Sequence, residues 1–374
     1  MIVLGNKELL GNELAAVLNS SQSKTPCGDD SWVKGSIAAV KNLIELGYTI
    51  VTSLYLNTWE IPVYLVSEYG GSQIIVSPVS GEDLGYNIYY KTVDQFKLDR
   101  NKTAMVFIKS EADSKKPKST WFNRDLAVAQ IADLLVPVSI RPRGKLEKLL
   151  SETNKEIESK FRIDYAKPLI KPPKYDFGKT VSPEGDWDYI THWTRTHHGP
   201  WPGESKYDFY RRMVNSESEY PNNAFNSLKN MIQTKKIYAS SERIRKSIRC
   251  IGFSDLKPES MLKWMRWLPK RVGWNFEPYG IAIKKEAADK AGMRQVIYGD
   301  DELYEKLPEN DRPYFQSKGK KDVDWSQESE WRKIGDLNIK YMPEKELALM
   351  VWRKTEAQEL SKITDIKSIF LYSG

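Results

Sequence analysis

The first 150 residues of the chain carry hydroxyl, amide and cationic side chains of the kinds that bind phosphate. Most of them follow short apolar runs, where a strand ends and a loop begins. Hydroxyls, backbone N–H groups and guanidinium groups near helix starts bind anionic oxygens, so together they predict an anion site. The candidate ligand contacts are Ser20, Ser21, Ser23, Lys24, Asn57, Arg124, Arg141 and Arg143.

A second candidate surface interleaves tryptophans with cations between residues 264 and 274. Aromatic faces stack on nucleobases while cations follow the phosphate backbone, and each stack contributes roughly 1–3 kcal/mol. The pattern predicts a nucleic-acid contact, and the alternative is a set of tryptophans that fill the core of a domain. The residues concerned are Trp264, Arg266, Trp267, Lys270 and Arg271.

All three histidines of the chain lie within seven residues, at His192, His197 and His198. A zinc site would need a further ligand, and two adjacent histidines suit tetrahedral chelation poorly. The two cysteines, Cys27 and Cys250, are far apart in sequence and give no metal-ligand spacing. We therefore expect no metal, and a hydrogen-bonded core histidine is the alternative for His192.

The elements that must position the phosphate-binding candidates alternate between strand and helix. Apolar runs of strand length occur at residues 15–18, 48–53, 73–77, 104–108 and 134–140, and helical periodicity occurs at 31–46 and 58–69. Residues 121–144 pass from a helix directly into an apolar strand and end in a basic, glycine-terminated loop. This order predicts an α/β fold with a doubly wound parallel sheet, in which ligands bind at the carboxyl ends of the strands.

Four segments of this region carry a family pattern. They are residues 16–23, 47–51, 52–60 and 123–133, and the last of them, Asn123-Arg124 with Ala127 ahead of a valine strand, matches best. Over about residues 5–150 the chain resembles the Rossmann-like family of DNA-processing protein A and the lysine-decarboxylase-like nucleotide hydrolases, the SLOG group. The resemblance implies a domain that binds a nucleotide or a nucleic acid. The hydrolase branch's Gly-Gly-x-Gly-Thr signature is absent, which favours binding without turnover.

Beyond residue 184 the chain predicts a separate α+β domain, with a strand at 189–194, a helix at 224–232 and a Glu-x-Glu at 328–330. This order resembles domains of unknown function from bacterial abortive-infection proteins, and it is weakly similar to the ADP-ribosyltransferase fold. The transferase resemblance implies an NAD site at Thr194 and Arg195, with catalytic candidates His192, Glu328 and Glu330. Carboxylates two residues apart share one face of a strand, and an oxocarbenium-like centre needs a nearby carboxylate.

Length and composition bound the remaining properties. A chain of 374 residues predicts two or three domains. We expect a Rossmann-like domain at 1–150, a charged, proline-rich linker at 151–183 and an α+β effector-like domain at 184–374. The mean hydropathy of −0.56, with neither a membrane-length apolar run nor a signal-peptide layout, predicts a cytoplasmic protein without a membrane partner. The net charge of +7 permits nucleic-acid binding.

Three functions follow as alternatives. The first is a bacterial antiviral-defence protein, with a Rossmann-like sensor of nucleotides or nucleic acid and a C-terminal effector. The second is a single-stranded DNA-binding module without catalysis. The third is an NAD-dependent ADP-ribosyltransferase that acts through Glu330. The sequence leaves the cofactor open between a nucleotide and NAD, and it is compatible with protein partners from a defence system and with a homo-oligomer.

Overall fold

The chain folds into two compact units in a computed structural model. The structure describes residues 2–79, 82–109, 117–167, 175–181, 183, 185–241, 247–318 and 325–372. The first unit comprises Met1–Ile170 and His198–Pro221, and the second comprises Lys171–His197 and Asn222–Gly374. Of the expected linker at 151–183, residues 168–174 and 182 lie outside the described part of the chain. The division into sensor, linker and effector stays a prediction.

The first unit alternates strands and helices through its first 160 residues. Its strands are β1 (Ile2–Gly5), β2 (Leu14–Asn19), β3 (Thr49–Ser53), β4 (Gln73–Val79), β5 (Thr103–Lys109), β6 (Leu134–Ser139) and β7 (Glu156–Ile157). Its helices are α1 (Ser31–Glu45), α2 (Asn57–Glu68), α3 (Glu82–Phe96), α4 (Pro117–Ile131), α5 (Lys145–Glu152) and α6 (Lys206–Val214). Every side chain of β2 and β6 is buried, as their continuous apolar runs predict for inner parallel strands.

The strands of the first unit form one sheet in the order β1-β5-β4-β3-β2-β6-β7. All neighbours are parallel except the edge pair of β1 and β5. Alternate side chains, such as Val17 and Leu18, pack against α1, α2 and α3 on one face and against α4 and α5 on the other. The chain runs outward from β2 to β5 and then crosses back to place β6 on the other side of β2. The strand order therefore reverses between β2 and β6, where doubly wound sheets bind ligands.

Residues 198–221 return to the first unit after the chain has entered the second. The Ser205 hydroxyl accepts from the Asp208 N–H and caps α6, whose Phe209 and Tyr210 join the core around α2 and α3. Gly28 packs so closely here that an added Cβ would lie 2.3 Å from the Val214 carbonyl oxygen. The sequence alone groups this segment with the C-terminal region, because nothing local marks which sheet a short helix packs against.

The second unit is built from shorter elements. Its strands are β8 (Tyr189–Trp193), β9 (Lys236–Ile237), β10 (Cys250–Ser254), β11 (Trp267–Leu268), β12 (Gly273–Trp274), β13 (Gly280–Lys284), β14 (Arg294–Gln295), β15 (Ile297–Gly299), β16 (Phe315–Ser317), β17 (Glu330–Ile334), β18 (Leu337–Asn338), β19 (Leu347–Val351) and β20 (Ser368–Phe370). Its helices are α7 (Ala224–Thr234), α8 (Pro258–Leu262), α9 (Lys285–Lys290), α10 (Asp301–Lys306) and α11 (Lys354–Leu360).

The main sheet of the second unit has the order β14-β17-β10-β8-β13-β19-β20. Its neighbours are antiparallel except for β19 and β20. Ile190, Ile281 and Leu349 are buried in a core that is separate from those of the first unit. The expected fold class is confirmed: a Rossmann-like, mostly parallel sheet accompanied by a separate α+β unit. Within the described ranges, no helix is both long and apolar enough to cross a membrane.

Candidate functional site

The loops that follow β2 and β6 meet at the point where the strand order reverses. The Ser20 N–H donates to the Ser139 carbonyl oxygen at 2.8 Å, and the Arg141 N–H donates to the Ser20 hydroxyl at 2.8 Å. Ser20 is buried, so its hydroxyl holds the two loops together. The structure thus brings the candidates after β2 and those after β6 to one edge of the sheet.

The loop between β3 and α2 joins the same edge through Asn57. Its side-chain amide donates to the Ser23 carbonyl oxygen at 3.4 Å, and its Oδ1 lies 3.0 Å from the Tyr210 hydroxyl. Both ends of this side chain are thus engaged by protein. Ser21 and Lys24 are exposed on the neighbouring loop, while Ser23 is half-buried.

The N-terminus of α5 lies at this edge and carries the partial positive charge of the helix dipole. Gly144 occupies the N-cap position and has no side chain to accept from the helix amides. The positive end of the helix dipole suits an anion. Arg141 and Arg143 are exposed, and the Arg143 N–H donates to Glu147 Oε2 at 2.5 Å. A concave surface here is lined by Arg143, Gly144, Lys145, Glu147, Lys148 and Ser151.

Arg124 lies beneath this edge and not on it. Its side chain is 1% exposed, and its guanidinium group pairs with Asp125 at 2.7 Å. Its Nη1 donates to the Leu54 carbonyl oxygen at 3.1 Å, and the group lies over the Trp59 ring. Burial raises the pKa of Asp125, and the charge of Arg124 opposes that shift. In this position Arg124 holds the β3–α2 loop, and direct contact with a ligand stays a prediction.

The sequence did not anticipate that the carboxylate of Glu60, in the first turn of α2, is buried. Glu60 Oε1 lies 2.5 Å from the Lys206 ammonium group and accepts from the Tyr55 N–H at 2.8 Å, while Oε2 lies 2.9 Å from the Tyr210 hydroxyl. Burial and the charge of Glu60 raise the pKa of Tyr210. A signal was present, since Glu60 is the one charged residue in the apolar run from Thr58 to Val66.

The structure does not bring His192 and Glu330 to one face of the second unit's sheet. Ser254 pairs with Thr191 on one side and with Glu330 on the other, so these three side chains share a face. His192 is one residue further along its strand and faces the opposite way. Its Nδ1 donates to the Gly252 carbonyl oxygen at 2.9 Å, and burial lowers the pKa of its ring. His192 therefore has the geometry of the hydrogen-bonded core alternative.

Thr194 is buried and Arg195 is exposed, directly after β8. A second carboxylate that the sequence did not single out lies beside them. Glu277 is buried and accepts from the Tyr175 hydroxyl at 2.9 Å and from the Thr196 N–H at 2.6 Å. Burial raises the pKa of Glu277, and those hydrogen bonds oppose the shift. Roles in NAD binding for Thr194 and Arg195 stay predictions.

The two glutamates of the Glu-x-Glu differ in their surroundings. Both carboxylate oxygens of Glu330 accept from Arg332, at 2.8 and 3.1 Å, and Arg332 also donates to the Phe315 carbonyl oxygen at 2.8 Å. Burial and the charge of Glu330 raise the pKa of Glu328 from 4.5 to about 7, while Arg266 opposes the shift. Both oxygens of Glu330 are thus engaged in an ion pair with Arg332.

The tryptophan-rich segment forms a hairpin of β11 and β12. Trp267 pairs with Trp274 across it, with ring centroids 6.2 Å apart, and both rings are half-buried. Trp264 packs against the core of the second unit, and the Arg266 guanidinium group lies 6.0 Å from its ring centroid. The hairpin's exposed cations are Arg266, Lys270 and Arg271. The hairpin has features of both alternatives, core packing and nucleic-acid contact. Its tryptophan rings pack partly inward, and its cations face solvent.

No group of three or more histidine, cysteine, aspartate or glutamate side chains in the described part of the chain is arranged to hold a metal ion.

No family model and no curated protein matches the chain. A solved structure of DNA processing protein A from Helicobacter pylori, described as having a unique single-stranded DNA binding mode, is 16% identical with a TM-score of 0.28. The match covers 38% of this chain and 61% of that one. This loose resemblance to DNA-processing protein A is what the comparison shows. The expected SLOG membership and the likeness to abortive-infection domains stay predictions, and the assignments for this chain rest on its own geometry.

Proposed function

We propose that the first unit binds the phosphate of a nucleotide or a nucleic acid at the carboxyl edge of β2 and β6. The observation that carries this proposal is the 2.8 Å hydrogen bond from the Arg141 N–H to the Ser20 hydroxyl, at the reversal of strand order. It fixes two loops side by side through the buried Ser20 and the backbone of Arg141. The Arg141 side chain, Ser21 and Lys24 remain exposed around that junction.

The chemistry of this edge favours phosphate over a neutral ligand. Arginine forks form paired, charge-assisted hydrogen bonds with phosphate oxygens, and the start of a helix adds N–H donors. Three cations, Arg143, Lys145 and Lys148, line the concave surface with one carboxylate, that of Glu147. The surplus of positive charge supports an anionic ligand.

The proposal is tested by reversing charge at the edge without disturbing the loop junction. Arg141 holds Ser20 through its backbone, so Arg141→Glu with Arg143→Glu preserves that bond. The matched control is Lys91→Glu with Arg100→Glu, because both are exposed in the same unit and Arg100 precedes β5 at the opposite edge of the sheet.

The measurement is binding of ATP and of a single-stranded thymidine 12-mer across a salt series. The edge variant should lose at least about tenfold in affinity for whichever probe binds, since two phosphate contacts are lost. With the 12-mer, the slope of log affinity against log salt should shrink by about 1.4 for two lost contacts. Equal affinities of the edge and control variants would contradict the proposal.

We propose further that the second unit acts as an effector in antiviral defence once the first unit has bound its ligand. A separate core and a hairpin with exposed cations support an independent contact surface in that unit. Bacteria that express the protein and are challenged with phage provide the test. The edge variant should lose protection while the Lys91/Arg100 control keeps it, and equal protection would count against the defence role.

ADP-ribosyl transfer through Glu330 is not favoured by the geometry. A carboxylate whose two oxygens both accept from a buried guanidinium group is not available to polarise a ribose hydroxyl. Incubation with labelled NAD should therefore transfer no label to protein or nucleic acid. Transfer that is lost in Glu330→Gln would restore the transferase interpretation.

A further inference from the structure

The peptide bond between Leu54 and Tyr55 is held at both of its polar atoms by buried charged side chains. Its carbonyl oxygen accepts from Arg124 Nη1 at 3.1 Å, and its N–H donates to Glu60 Oε1 at 2.8 Å. Glu60 is itself fixed by the Lys206 ammonium group at 2.5 Å. A cation and an anion thus fix one peptide plane from opposite sides, in a loop that follows the carboxyl end of β3.

This arrangement forces Tyr55 into a conformation that tyrosine avoids. Its φ is +76°, in the left-handed region that favours glycine. A non-glycine residue persists there only where its surroundings determine it, and such residues cluster at ligand sites. The side chain is nevertheless 52% exposed, so burial of the ring does not account for the conformation. The buried charges therefore hold the backbone of Tyr55, and its aromatic ring is presented to solvent.

Tyr55 lies on the same edge as the proposed phosphate site. It follows β3, and β3 neighbours β2, which neighbours β6. The Asn57 side chain ties its loop to the Ser23 carbonyl oxygen. Adjacent strands lie about 4.8 Å apart, so Tyr55 is about 10 Å from the loop after β6. A nucleotide or a short length of single strand bridges such a span between its base and its phosphate.

We infer that Tyr55 is a stacking platform for a nucleobase whose phosphate lies at the β2–β6 edge. This inference rests on the proposed phosphate site and makes the ligand specific, because a phosphate compound without a base would gain nothing from the ring. Base stacking on an aromatic side chain tolerates all bases, so the platform selects for a base and not for a sequence.

Two pairs of probes test the inference. AMP against ribose 5-phosphate examines a free nucleotide, and a thymidine 12-mer against an abasic 12-mer of equal length and charge examines a strand. Wild type should prefer the base-bearing member of one pair by roughly 5- to 150-fold, the range that one stack supplies. The pair that shows the preference identifies the source of the base.

Three variants isolate the ring. Tyr55→Gly removes the ring and accepts the positive φ, so it folds without strain and should abolish the preference while affinity for the base-free probes is unchanged. Tyr55→Phe should keep the preference. Tyr86→Ala is the matched control, since Tyr86 is also 52% exposed but lies on α3, and it should keep the preference too.

The outcomes separate this inference from the proposed function. Phosphate probes that bind wild type without any base preference, or a preference that survives Tyr55→Gly, would overturn the stacking role and leave the phosphate site standing. Failure of every probe to bind wild type would remove the phosphate site, and the stacking role with it.

Discussion

In the described part of the chain, each unit buries one arginine almost completely, and the two arginines have different roles. Arg124 of the first unit pairs with Asp125 and donates a further hydrogen bond to the Leu54 carbonyl oxygen, in the backbone of an edge loop. Arg332 of the second unit pairs with Glu330 and donates to the backbone at Phe315. The first keeps an exposed loop in a set conformation. Arg332 instead pairs with Glu330, a carboxylate of its own strand, and so neutralises it.

The contrast shows where ligand chemistry remains available. A buried charge that fixes loop backbone allows a side chain of that loop, such as Tyr55, to stay exposed to solvent. A buried charge that pairs with a neighbouring carboxylate occupies the carboxylate oxygens, which are then not available for a reaction. Exposed polar edges held by buried charge are therefore better candidates for ligand sites than paired carboxylates in a sheet.

Among the substitutions that test this comparison, Arg332→Met is expected to lower stability the most. It leaves the Glu330 carboxylate partly buried without its partner, and breaking a buried pair costs about 3–5 kcal/mol of unfolding free energy. Urea denaturation combined with hydrogen exchange of peptides from the second unit measures it. The double variant Arg332→Met with Glu330→Leu should recover much of that loss, because no buried charge remains. If Arg332→Met lowers the unfolding free energy by less than about 1 kcal/mol, Arg332 and Glu330 do not act as a buried, stabilising ion pair.

A smaller effect is expected from Arg124→Met. Asp125 and Glu330 are similarly exposed, at 22% and 21%, but Arg124 donates to one further acceptor whereas Arg332 donates to three. Fewer hydrogen bonds are lost, so the cost should be about 1–3 kcal/mol, that of hydrogen bonds to a charged group. Faster hydrogen exchange in residues 53–57 should accompany it, because the Leu54 carbonyl oxygen loses its donor. Arg100→Met, at an exposed position of the same unit, should change stability by less than about 0.5 kcal/mol. Unchanged exchange in the β3–α2 loop would mean that Arg124 does not hold it.

A further effect, which develops only as pH rises, concerns the stability of the second unit. The pKa of Glu328 is raised to about 7 in the folded state from an ordinary value of 4.5. The unfolded state therefore releases this proton first as pH rises, so Glu328 lowers stability progressively between about pH 4.5 and 7. The difference in unfolding free energy between wild type and Glu328→Gln, measured from pH 4 to 8, should grow in favour of the variant. A difference that stays flat over this range would place Glu328 in water, beyond the influence of Glu330.

Much of the first unit could be predicted from its sequence. The apolar runs at 134–140 and 15–18 correspond to β6 and β2, and the helix expected at 31–46 is α1. Such elements follow from the periodicity of neighbouring side chains, which is local information. The helix α3 and the edge strand β1 were not anticipated, since the pattern of α3 is mostly polar and β1 is short.

The candidate site could be predicted only in part. Ser20 and Arg141 were expected near a ligand because each follows a strand, and they do meet. The burial of Arg124, the Glu60 cluster and the fixed Tyr55 were not foreseen. Each depends on contacts between residues 70 to 150 positions apart, and no local pattern encodes those.

By itself the sequence determined which of the strongly periodic apolar segments become strand or helix and which loops carry hydroxyls and cations. The tertiary structure alone decided that β6 returns beside β2, that residues 198–221 rejoin the first unit, and that Glu330 is neutralised by Arg332. The physical reason is the range of the interactions. Periodic burial acts over a few residues, whereas strand order and buried charge pairs depend on how the whole chain packs.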